Sequence, residues 1–137
     1  MATAEDIWQS SDQSSRLRAF RNDGSGGLVS GPFDVCSSVP IPQHAFADFD
    51  SDGGQDMLVS RTCFFGVGPE TNAEVYFGDG STPAMLANSD GQIRYEVFVT
   101  DLGGDAIPDA RVVERHSDGS VATRHFRNDG TGVFTEI

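Results

Sequence analysis

The chain has 137 residues, which suits one domain, and its 37% hydrophobic content with ten Phe suffices for a core. A formal net charge of −12, from 21 acidic against 9 basic residues, argues against nucleic acid as a partner, because phosphate backbones require a basic surface. No apolar run approaches the roughly eighteen residues of a membrane helix, so no membrane insertion is expected.

All nine cations are Arg, and fifteen of the acids are Asp, a residue of turns, caps and hard-metal loops. The opening Met1-Ala-Thr-Ala-Glu-Asp-Ile-Trp8 has neither a basic nor an apolar region, so no signal peptide is expected in this chain. Within the first fifteen residues only a short, weak helix is foreseen, and no later segment shows a sustained helical period. Met57 to Arg61 is a short strand-like run. Arg94 to Thr100 alternates, placing Tyr95, Val97 and Val99 on one side. Ala110 to Arg115 is a further strand, and Ser120 to Arg127 another. Asp118-Gly119 between these last two signals a hairpin. In the simplest register of that hairpin His116 pairs with Val121 and His125 with Val112, so the imidazoles do not meet and zinc is not expected. Cys36 and Cys63 form one disulfide or remain two buried thiols.

Two elements repeat along the chain. Phe46-Ala-Asp-Phe-Asp-Ser-Asp-Gly-Gly-Gln-Asp-Met-Leu-Val-Ser60 returns as Phe98-Val-Thr-Asp-Leu-Gly-Gly-Asp-Ala-Ile-Pro-Asp-Ala-Arg-Val-Val113, which aligns Asp48 with Asp101. A second element reads Arg18-Ala-Phe-Arg-Asn-Asp-Gly24, Val75-Tyr-Phe-Gly-Asp-Gly80 and Arg124-His-Phe-Arg-Asn-Asp-Gly130. In these turns Asn and Gly are read as residues tolerating positive φ. The unit is then four strands in roughly fifty residues, the size of a propeller blade. Residues 43–91 and 92–137 make two units. Residues 1–42 make a partial one lacking its first strand, with Asp6 aligned to Asp56 and Asp109. The expected fold is all-β, with eleven strands grouped three, four and four in about 2.75 blades.

The run Asp48-Phe-Asp50-Ser-Asp52-Gly53-Gly-Gln-Asp56, followed by Met-Leu-Val and by downstream Asn-Asp-Gly turns, resembles the FG-GAP and VCBS-type repeats. The resemblance implies blades of a calcium-binding β-propeller, as in integrin α-subunits, and an extracellular or cell-surface location.

The residues support that chemistry directly. Calcium takes six to eight oxygens on a tight turn. Asp48, Asp50, Asp52 and Asp56 supply carboxylates, the carbonyl near Gly54 adds an oxygen, and Gly53 supplies the freedom to coil. The alternative is that these Asp and Gly residues simply cap a turn. In the second loop Asp101, Asp105 and Asp109 remain, but Gly103 carries no carboxylate and Ala106 resists positive φ. A weak site, a site completed by water, or a metal-free loop all fit. No nucleophile elbow, Walker loop or dinucleotide fingerprint is present, so a non-enzymatic structural or protein-interaction module is expected. The rival readings are a lectin or adhesin holding a glycan or protein ligand, and an accessory segment of a secreted hydrolase. Fewer than three blades cannot close a propeller, so a homo-oligomer completing the ring is expected, driven by an exposed apolar face carrying Phe126 and Val113.

Overall fold

A computed structural model describes residues 5–9, 16–22, 28–36, 43–64 and 68–137, the first three segments as backbone strands only. Among these residues there is no helix and there are eleven strands. They are β1 (Glu5–Gln9), β2 (Arg16–Asn22), β3 (Leu28–Cys36), β4 (Gln43–Ala47), β5 (Asp56–Phe64), β6 (Pro69–Tyr76), β7 (Ala84–Ser89), β8 (Ile93–Thr100), β9 (Asp109–His116), β10 (Val121–Asn128) and β11 (Phe134–Glu136). The weak helix foreseen near the N-terminus is corrected, since Glu5–Gln9 pairs antiparallel with β2. The strands form three antiparallel meanders, β1-β2-β3, β4-β5-β6-β7 and β8-β9-β10-β11, none closed on itself. The grouping of three, four and four matches the repeat in the sequence.

β5 explains why a short apolar run sits at the centre. Leu58 pairs with Ala45 and Val75, and this face meets the β8–β11 sheet through Tyr95, Val97, Ala110, Val112 and Phe126. Met57 and Val59 alternate to the opposite face and are equally buried, and β3 lies against β5. A strand covered on both faces loses its polar alternation, so Met57 to Ser60 is buried without interruption. The same two-sided burial encloses Glu74, which pairs with Arg61 at 3.0 Å. Burial, followed by the hydrogen bond to Glu74, raises the Tyr76 hydroxyl to about 12. Cys63, also buried, is disulfide-bonded.

The β8–β11 sheet departs from expectation in three places. Phe126 is not on an open face. It lies 5% exposed in the core between the two four-stranded sheets. Val113 does lie on the outer face, half-buried, but its row-mates there are Glu96 and Thr123, and the flanking rows carry Phe98 with Arg111 and Arg94 with Arg115. The Arg111 guanidinium stacks 4.5 Å over Phe98, so this face is charged rather than an apolar patch. Val99, at the end of β8, is exposed, unlike Tyr95 and Val97.

The β9–β10 hairpin is also one residue tighter than expected. The His116 N–H donates to the Ser120 carbonyl and the Gly119 N–H donates to the His116 carbonyl, both at 3.0 Å, with Gly119 at φ 89°. This is a three-residue loop closed by a left-handed Gly. Val121 therefore pairs with Arg115 and His125 with Arg111.

Candidate metal centre

The loop between β4 and β5 is folded by its own carboxylates. Asp48 accepts the N–H groups of Asp52 and Gly53 at 3.1 and 2.9 Å. Asp52 accepts the N–H of Gly54 at 2.7 Å. Asp56, fully buried where β5 begins, accepts Phe49 N–H at 2.7 Å through one oxygen and Gly78 N–H at 2.8 Å through the other. To make these bonds the chain turns left-handed at Ser51 and Gly53, at φ 61° and 87°. Gly54 is crowded too, since a β-carbon there would stand 3.2 Å from Asp52 Oδ1.

This coil converges oxygens that a straight strand would keep apart. Asp48, Asp50 and Asp56 each bring one carboxylate oxygen within 4.8 Å of the others. Asp50 and Asp52 form a second such group with Asp79, which reaches them from the turn after β6. Burial, and next the neighbouring Asp56 charge, raise the Asp50 carboxyl to about 6. Burial also raises Asp56, opposed by the three backbone N–H groups it accepts. Asp79 is lowered, chiefly by the Ser81 hydroxyl and N–H. All donors are hard oxygens, with no His or Cys among them, which suits a hard cation rather than zinc.

The loop between β8 and β9 repeats the main bonds of this backbone. Asp101 accepts Asp105 and Ala106 N–H at 3.2 and 3.0 Å, and Asp105 accepts Ile107 N–H at 3.1 Å. Asp109 accepts Leu102 N–H at 2.7 Å and Asn128 N–H at 2.8 Å. Ala106 takes the left-handed conformation that Gly53 takes in the first loop, at φ 66°. The carboxylate bonds therefore impose the turn on a residue that resists it, at a cost of about 1–2 kcal/mol. Asp101, Asp105 and Asp109 also converge within 4.8 Å. The Ala106 N–H is the main reason Asp101 lies below the usual carboxylate range.

These equivalent bonds correct the alignment of the second repeat. Gly78 N–H and Asn128 N–H both donate to the closing Asp of their loop. Met57 pairs with Tyr76 just as Ala110 pairs with Phe126. Tyr76 is thus the counterpart of Phe126, and Phe77 that of Arg127. The shared Phe and Asp-Gly had hidden this because the copy at Val75–Gly80 is one residue shorter between them.

The structure also assigns Asn128 a part that turn propensity misses. Its backbone is not left-handed; the positive φ values fall on Gly130 and Gly132, at 95° and 86°. Asn128 is 2% exposed, and its side-chain amide makes four hydrogen bonds. Nδ2 donates to the Phe49 carbonyl at 2.7 Å and to the Pro108 carbonyl at 3.0 Å, so it ties the first loop to the second. Oδ1 accepts Gly130 and Gly132 N–H, both at 3.1 Å. The Ser51 hydroxyl adds a bond to the Gly130 carbonyl at 2.8 Å. Among sequence signals, only the recurrence of Asn at Asn22 and Asn128 pointed to this residue. Asn22 ends β2, and its side chain lies outside the described residues.

The histidines do not gather. His44, in β4, meets Phe46 edge-on at 5.9 Å, His116 pairs with Glu114 at 3.3 Å, and His125 sits on β10 opposite Arg111. Compared with protein families, with curated proteins and with solved structures, the chain matches none.

Proposed function

We propose that the chain is a non-enzymatic calcium-binding module of FG-GAP/VCBS-type propeller blades, with a structural or protein-interaction role. The observation that carries this reading is the convergence of Asp48, Asp50 and Asp56 oxygens in a loop whose backbone recurs in the next sheet. A turn needs one or two Asp residues as caps, whereas here burial and, after it, repulsion from the neighbouring Asp56 carboxylate make Asp50 hold its proton unusually firmly. A divalent cation removes that repulsion. Asp48, Asp50, Asp52 and Asp56 would hold the ion, with the Gly54 carbonyl in the same loop and Asp79 reaching in from the turn after β6. The disulfide at Cys63 supports an oxidising, extracellular setting. A second copy of the chain, closing the ring of blades, is the assembly this reading calls for.

The test is calorimetric titration with calcium and thermal unfolding with and without chelator. A cation bound only to the folded state adds about 2.7 kcal/mol at a hundred times its Kd. One ion per first loop, with Asp50→Ala reproducing the chelated melting curve, is expected. No heat and no melting shift at millimolar calcium would reduce the loop to a turn.

A further inference from the structure

The two loops share a backbone but not a charge, and the difference lies in one exchanged pair of residues. The first loop has Asp50 with Phe77 at the adjoining strand end; the second has Gly103 with Arg127 at the equivalent places. The Phe77 ring is turned onto Gly132, where a β-carbon would lie 2.7 Å from the ring and 3.5 Å from Asp50 Cβ. The Arg127 side chain instead occupies the space above Gly103. A β-carbon at Gly103 would stand 2.9 Å from Arg127 Nη2 and 3.3 Å from Asp105 Oδ2. The guanidinium thus lies where a ligand side chain at position 103 would begin, flanked by a carboxylate of the same loop. Among the described residues it forms no direct ion pair, and it acts through space.

We propose that Arg127 is the built-in cation of the Asp101–Asp109 loop and determines that this loop, unlike the first, takes no divalent ion. The inference deepens the proposed function and rests on the first loop being a cation site. The first loop offers four carboxylates, Asp48, Asp50, Asp52 and Asp56. The second offers three, Asp101, Asp105 and Asp109, with a guanidinium beside them. A single positive charge about 6 Å from a divalent ion opposes it by an energy that corresponds, in a water-like dielectric, to about tenfold in affinity. Restoring the missing carboxylate alone does not undo this, because an Asp at 103 meets Arg127 and is neutralised by it.

The experiment silences the first loop with Asp50→Ala and adds Gly103→Asp, Arg127→Phe or both. Calcium titration and terbium luminescence are read at low ionic strength, where the charge is unscreened. Gly103→Asp alone is expected to gain less than about threefold in affinity, and the double substitution at least about tenfold beyond that. Arg127→Gln, which keeps the polar stem and removes the charge, replaces Arg127→Phe if circular dichroism shows loss of strand structure. Gly103→Asp binding as tightly as the double substitution overturns the proposal. So does a second bound ion with Arg127 intact, or no binding by the double substitution. A wild-type first loop that takes no calcium refutes the proposed function instead, while a gain in the double substitution still upholds the part assigned to Arg127.

Discussion

Asn128→Asp is the sharpest probe of how the two loops are held together. The change is isosteric, so it leaves no cavity, and it keeps the oxygen that accepts Gly130 and Gly132 N–H. What it removes is Nδ2, which donates to the Phe49 and Pro108 carbonyls. Each carbonyl then faces a carboxylate oxygen in a site that is 2% exposed. Leaving a buried polar group without its partner costs about 1–3 kcal/mol, so two such groups cost about 4 kcal/mol together. For a chain of this size that is a fall in Tm of about 15 °C. The introduced carboxyl is destabilised when charged, so its pKa in the folded state lies above that in the unfolded state. The penalty is therefore full at pH 7 and shrinks as pH falls toward about 4, where the group binds a proton in both states. Thermal denaturation at the two pH values measures both effects. A Tm within about 2 °C of wild type at pH 7, or a penalty independent of pH, would refute the idea that Asn128 bridges the loops.

Ala106→Gly relieves a left-handed Ala and is expected to stabilise by up to about 1 kcal/mol, after allowance for the greater freedom of Gly in the unfolded chain; urea denaturation measures it. Because the Asp50 pKa is raised to about 6 in the fold, the folded chain binds more protons than the unfolded one between about pH 4 and 6. Calcium-free stability should therefore fall as pH rises through that window, and calcium should abolish the fall; Asp50→Asn that leaves the slope unchanged would contradict this. Light scattering at micromolar concentration is expected to return at least twice the chain mass, and a monomer from soluble, cooperatively folding protein would refute the ring assembly.

The sequence by itself determined what is local. Strand-like runs bounded by Asp and Gly set an all-β meander, because side-chain alternation and turn residues act within a few positions. The carboxylate spacing of Asp48, Asp50, Asp52 and Asp56 was legible for the same reason, since a coil of nine residues is closed by bonds within itself. Even the departure at Ala106 left the second loop intact, because Asp101 and Asp109 supply those bonds. Only the tertiary structure decided what depends on contacts across the chain. Phe126 and Arg111 are equally plausible strand residues in sequence, and which of them faces the core depends on which side the β4–β7 sheet covers. Asn128 looked like a turn former until Phe49, 79 residues away, supplied a carbonyl for it. Arg127 acquired its place beside Gly103 only when β10 met the loop before β9, because electrostatic and packing energies follow distance in space rather than distance along the chain.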